Sequence, residues 1–211
     1  MKKTLYILGL TAALSATQLL QAETLLGENY VRGSLGVTFF GEDFLSDTYG
    51  EGYNFDVLTN VNIADNLDLR LDFDYKWAEA DIAGGTSDLT QSSVGADLIY
   101  YTSPGEAVNP YLNAGLGAVY TDYTVKQSGL TFELDSTEIS YNLGFGVEFE
   151  TSDVSFARTG FEYLTYDSID VYNLAGMYGY GFTDTSLGAV RLQYDVESEN
   201  FEVMLSYIYK M

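Results

Sequence analysis

Two acids spaced two residues apart on an extended chain point the same way. Asp72 with Asp74, and Glu148 with Glu150, are therefore carboxylate pairs of the kind that can share a proton and act as acid and base. The 211-residue chain has no Cys and no His, which removes thiolate zinc sites, cysteine nucleophiles and histidine-based relays together. None of the acid spacings matches an EF-hand loop. Such pairs also arise without chemistry on any strand that carries charge along one face, so the sequence is expected to hold no catalytic residue, no cofactor and no metal site.

The balance of 9 basic against 31 acidic residues gives a net charge of −22. A surface this negative repels phosphates, so nucleic acid is not an expected partner. Disorder is not expected either, because acidic disordered tails are poor in aromatics and this chain holds 19 Tyr and 12 Phe with only 2 Pro. The length suits one domain.

The groups capable of chemistry must be held by some scaffold, and the chain begins with an address rather than with that scaffold. Lys2 and Lys3 precede an apolar run from Leu5 to Ala16, and Leu20-Gln21-Ala22 offers a small residue for cleavage. The run is 12 residues long, against the ~20 that a spanning helix needs. Residues 1–22 therefore read as a secretory signal peptide and 23–211 as the exported domain. No later segment approaches a continuous apolar helix, so any membrane crossing must be made by strands.

The period is set by Leu67 to Trp77. Leu67, Leu69, Leu71, Phe73, Tyr75 and Trp77 alternate with Asp68, Arg70, Asp72, Asp74 and Lys76, a pattern that only a strand places on two clean faces. The same alternation marks Val31 to Phe39, Tyr53 to Asn62, Thr90 to Tyr101, Pro110 to Tyr120, Ile139 to Phe149, Ser155 to Thr165, Asp170 to Phe182, Leu187 to Val196 and Phe201 to Met211. That makes ten strands, with a bulge expected at Phe156 and Ala157. Eight strands are the alternative, if Tyr166 to Asn200 forms one extended loop. Connections alternate between tight (Ala64-Asp65-Asn66, Thr151-Ser152-Asp153) and long (Ala78 to Leu89, Thr121 to Glu138), as in an antiparallel up-and-down transmembrane barrel.

Alternation does not say which face is inside. A secreted soluble β-barrel that binds an apolar ligand would bury the greasy face instead. Lipid outside is favoured by aromatics near strand ends, including Tyr53, Tyr75, Trp77, Tyr100, Tyr101, Tyr207 and Tyr209. It is also favoured by glycines on the polar face at Gly36, Gly95, Gly115, Gly117, Gly144 and Gly146, where a crowded lumen has use for them.

The leader, the strand pattern, the run Pro110-Tyr111-Leu112-Asn113-Ala114-Gly115-Leu116-Gly117, the Arg158 to Tyr163 strand and the aromatic C-terminus together resemble the small outer-membrane β-barrel superfamily of OmpA-like and opacity-type proteins. The resemblance covers nearly all of the exported chain. It implies residence in the outer membrane of a Gram-negative bacterium, as in other porin-like barrels. It also implies an assembly signal in Phe201, Val203, Leu205, Tyr207, Tyr209 and Met211, read by the barrel-assembly machinery, although the family usually ends in Phe. Relatives with a periplasmic peptidoglycan-binding domain tether to the wall; this chain stops at the barrel, and tethering is not expected.

On this topology the lumen receives Arg32, Arg70, Lys76, Arg158 and Arg191 with Asp56, Asp68, Asp72, Asp74, Asp97, Glu148, Glu162 and Asp195. Opposite charges in a narrow barrel pair and fill it, which points to a structural or loop-mediated interaction role. A small cation-preferring channel is the alternative, since acids outnumber bases. The long connections carry Glu42, Asp43, Asp47, Glu51, Glu79, Asp81, Asp88, Asp122, Glu133, Asp135, Glu138, Asp167, Glu197 and Glu199 against Lys126 alone. Lipopolysaccharide would then be met through divalent cations, which take carboxylate oxygens. The expected state is a monomer.

Overall fold

The computed structural model describes residues 29–40, 51–104, 106–152, 154–166 and 169–211. The proposed leader and the acids Glu42, Asp43, Asp47 and Asp167 lie outside them. Ten strands follow in order: β1 (Tyr30–Phe39), β2 (Glu51–Ala64), β3 (Leu67–Ile82), β4 (Gly85–Tyr101), β5 (Val108–Gln127), β6 (Leu130–Ser152), β7 (Ser155–Tyr166), β8 (Ile169–Thr183), β9 (Ser186–Asp195) and β10 (Phe201–Lys210). Each pairs antiparallel with its sequence neighbours, and β1 pairs with β10 to close the cylinder. Closure leaves no sheet edge within the cylinder, which satisfies the backbone where no water reaches it.

The eight-strand alternative is thereby excluded, since Tyr166 to Asn200 holds β8 and β9. The long connections are a further correction. Ala78 to Leu89 and Thr121 to Glu138 are not loops but continuations of β3, β4, β5 and β6, ending in tight turns around Gly84 and Gly129, both at φ 82°. Paired strands need only cross-strand hydrogen bonds, so they continue past the lipid boundary even where the side chains turn polar. Register shifts fall between Asn62 and Ala64, Glu150 and Ser152, and Gly181 and Thr183, all next to tight turns at one end. Phe156 and Ala157 pair regularly with Glu150 and Phe149, so the expected bulge sits on the neighbouring strand.

Apolar side chains cover the outside of the cylinder. Leu112, Leu116, Tyr141, Leu143, Phe145 and Leu205 are exposed, Leu116 by 63%. Phe73 is an exception: register puts it on this face beside Val57 and Val94, yet it is 7% exposed. Aromatics gather in two belts. Tyr53, Tyr75 and Trp77 pack with ring centroids 5.4 and 5.7 Å apart toward the end far from the termini. Tyr100, Tyr178, Tyr180, Tyr207 and Tyr209 are exposed at the terminal end. Tyr101 is not part of a belt, because its odd position on β4 turns it inward, where it is buried against Tyr111.

Candidate functional site: the lumen and the far-end sheet

The interior is built in layers, because each strand contributes every second residue at a height fixed by register. At the terminal end Tyr30, Leu58, Phe156, Leu187, Ala189 and Ile208 form one buried apolar cluster, against which Met177 packs, while Asn60 and Asp68 are buried as polar residues beside the β2–β3 turn. Ile99, Tyr101 and Tyr111 form a second. Phe156 is fully buried, and its ring occupies the place where a Cβ on Gly179 would lie. Period-two reading assigned the lumen to the polar parity and passed over these positions. Their signal was present as breaks in the alternation, such as Val57-Leu58 and Leu98-Ile99, where both faces are apolar.

Above this layer lie the ions. Asp56 receives both Arg32, at 3.2 Å from Nη2, and Arg191, at 3.1 Å from Nη1. Ser34 is a third partner, its Oγ donating to Asp56 at 2.8 Å. Arg158 pairs with Glu148 at 2.9 Å and lies over the Tyr111 ring, 4.2 Å from its centroid, while the Tyr101 hydroxyl also donates to Glu148. Lys76 pairs with Glu202, an inward acid that the sequence reading did not name although it alternates against Phe201 and Val203.

The remaining expected lumen residues take neutral partners. Asp68 accepts from Asn60 at 2.7 Å and from Asn62 at 2.9 Å, and Asp97 accepts from Asn142 at 2.7 Å. Glu162 accepts from Asn113, and Asp74 from Ser93. Arg70 and Asp72 line the central cavity with no direct ion pair among the described residues. Asp195 lines the lumen at the far rim, where it accepts from the Glu197 amide and the Ser198 hydroxyl. Glu148 and Glu150 do not form a pair either, since Glu148 is buried on Arg158 and Glu150 is exposed at the terminal rim.

Two cavities lie end to end along the axis. The central one, of about 210 Å³, is bounded toward the termini by Leu58, Tyr111 and Met177. The second, of about 260 Å³, reaches the far rim at Asn200 and Asp195 and shares Asp74, Glu162 and Arg191 with the first. The inward glycines make room for the polar side chains beside them. A Cβ at Gly95 would meet the Asp72 carboxylate at 2.8 Å, and one at Gly115 would collide with Asp97 and Asn142.

Beyond the aromatic belt the two faces exchange character. Residues of inward parity become apolar: Ala78, Ala80 and Ile82 on β3, Leu89 on β4, Tyr123 and Val125 on β5, and Leu130, Phe132 and Leu134 on β6. Ala78 and Ala80 are buried with Phe40, Leu89 and Tyr123 packed on them. Outward parity now carries Glu79, Asp81, Asp88, Asp122, Lys126, Glu133 and Asp135. The hairpin tips are tied together: the Ser128 amide donates to the Gly84 carbonyl at 3.0 Å, Gln127 donates to the Ala83 carbonyl, and Lys126 meets Asp88 at 3.4 Å.

A family model described as outer membrane protein beta-barrel domain matches residues 7–208. Among solved structures, the attachment invasion locus protein Ail of Yersinia pestis is 16% identical, with 87% of this chain and 99% of that one covered, at a TM-score of 0.50. Neisserial surface protein A is 18% identical over 90% and 100%, at 0.44. The N-terminal barrel of Pseudomonas aeruginosa OprF is 17% identical over 87% and 98%, at 0.35. Among curated proteins none matches. At 16% identity the Ail structure shows likeness of fold alone.

Proposed function

The chain belongs to the outer membrane protein beta-barrel domain family, and from that premise we propose that it is a non-conducting outer-membrane anchor that holds a stiff acidic sheet above the cell surface for interaction. The observation that carries this reading is the close packing of the terminal end, where Tyr30, Leu58, Phe156, Leu187 and Ile208 and, beside the β2–β3 turn, the mutually bonded Asn60 and Asp68 are all 5% exposed or less. An ion entering from the far rim would have to pass closely packed side chains that leave no room for its hydration shell. Asp56, Glu148 and Glu202 hold Arg32, Arg191, Arg158 and Lys76; Arg32–Asp56 and Arg158–Glu148 join consecutive strands, while Arg191–Asp56 and Lys76–Glu202 brace the lumen between strands distant in sequence.

Under this reading the far end faces outward and the termini face the periplasm. The partners are lipid around the barrel, lipopolysaccharide bridged by divalent cations to outward acids such as Glu79 and Asp88, and the assembly machinery acting on Phe201 to Met211. A catalytic role is not part of the proposal.

Planar-bilayer recording of the refolded chain is the test. We expect no discrete conductance steps, and steady cation-selective steps would replace the anchor with a channel. As a positive control, Phe156→Ala combined with Leu187→Ala and Ile208→Ala should produce steps by thinning the apolar layer.

A further inference from the structure

The pairing of β6 stops short on one side. Its bonds with β5 run from Leu130↔Gln127 to Phe149↔Val108, but its pairing with β7 begins only at Ser140↔Tyr166. Residues Leu130 to Ile139 thus present a straight strand whose second edge has no strand beside it among the described residues. Ten residues at about 3.4 Å each give roughly 30 Å of open edge. Such an edge is usually blunted by a bulge, a proline or charged side chains, lysine above all. Between Leu130 and Ile139 no bulge, proline or lysine occurs and the register with β5 is unbroken; the charges there are the acids Glu133, Asp135 and Glu138.

The side chains that flank this edge specify what would fit it. On one face Leu130, Phe132 and Leu134 are exposed, Leu134 by 70%. On the other stand Glu133 and Asp135; Asp135 is directly opposite Asp122, whose carboxylate accepts from the Tyr120 and Thr124 hydroxyls. Opposite charges in neighbouring strands stabilise a sheet, so a cation in an added strand would pair with Glu133 and Asp135. We propose that the β6 edge is a strand-addition site for an extended segment of a partner protein in which apolar residues alternate with Lys or Arg. Backbone bonds along the edge supply affinity; apolar residues pack beside Phe132 and Leu134, and basic residues pair with Glu133 and Asp135. A second copy of this chain fits poorly, since matching apolar faces antiparallel would set Glu133 and Asp135 against their own copies. The inference rests on the outward-facing reading of this sheet given above.

The test uses the full chain refolded in lipid and a labelled, blocked peptide of about twelve residues alternating Lys with Val or Leu. Three control peptides accompany it: the same composition with all Lys in one block, an alternating Glu peptide, and the Lys peptide with one edge N-methylated, made once for each edge. We expect the alternating Lys peptide to bind and the block and Glu peptides to bind at least about tenfold more weakly. Methylation of one edge should abolish binding, and methylation of the other should be tolerated. Glu133→Lys with Asp135→Lys should weaken the Lys peptide at least about tenfold and favour the Glu peptide, with heat-dependent gel mobility confirming that the variant barrel is intact.

Equal binding of the block peptide, or tolerance of both methylations, would overturn strand addition while leaving an acidic interacting surface in place. Crosslinking of Asp135→Cys between two copies in the absence of peptide would overturn the choice of occupant. Failure of the anchor reading shows separately, as conductance.

Discussion

Single inward residues carry unequal weight, and burial decides which matter. Asp56 compensates two guanidiniums in a space almost without solvent. Asp56→Asn leaves Arg32 and Arg191 without an anion and should lower stability by about 3–5 kcal/mol, read as a lower urea midpoint in lipid. Lys126→Ala removes a pair that is mostly exposed and should change stability by no more than about 1 kcal/mol. Glycines divide in the same way. Gly115→Ala drives a methyl group into Asp97 and Asn142 and should cost about 1–3 kcal/mol, whereas Gly176→Ala on the outward face meets no atom within 4 Å and should change stability little. A shift of the same size in both glycine variants would show that the lumen is not packed at Gly115. Ser34 illustrates how far sequence reaches: its lumen-facing parity was legible, but its burial between Asp56 and Ser206, to both of which it is hydrogen-bonded, was not.

At the scale of elements, the strands read clearly where the membrane imposes period two and poorly where that constraint ends. β3 was located from its first residue, because lipid on one side and ions on the other leave no ambiguity. Its last turn of alternation, Ala78 to Ile82, was taken for a loop because the polarity reverses there. The reversal has a physical cause: once a strand leaves hydrocarbon for water, burial favours the concave face and solvation the outer one. Arginine substitution locates the crossing. Leu71→Arg and Leu116→Arg lie in one cross-strand row through Ala96 and should each cost about 2–4 kcal/mol near the midplane. Thr131→Arg, on the same outward parity but beyond the belt, should change stability by about 0.5 kcal/mol or less. Refolding titrations in lipid measure all three, and an equal penalty at Thr131 would place that residue within the bilayer.

For the whole molecule, the closed cylinder predicts heat-modifiable behaviour: unboiled protein should migrate differently from boiled protein on a denaturing gel, and loss of that difference on removing Phe201 to Met211 would show that β10 is needed for closure with β1. The sequence by itself determined the all-β class, the even strand number and, within the membrane-spanning stretch, the two sets of residues that share a face, because each follows from a local two-residue period. Only the tertiary structure decided which acid meets which base, that an apolar layer underlies the ions, and that β6 outruns β7. Those facts depend on register between strands far apart in the chain, and register is set by closure of the barrel rather than by any one strand's pattern.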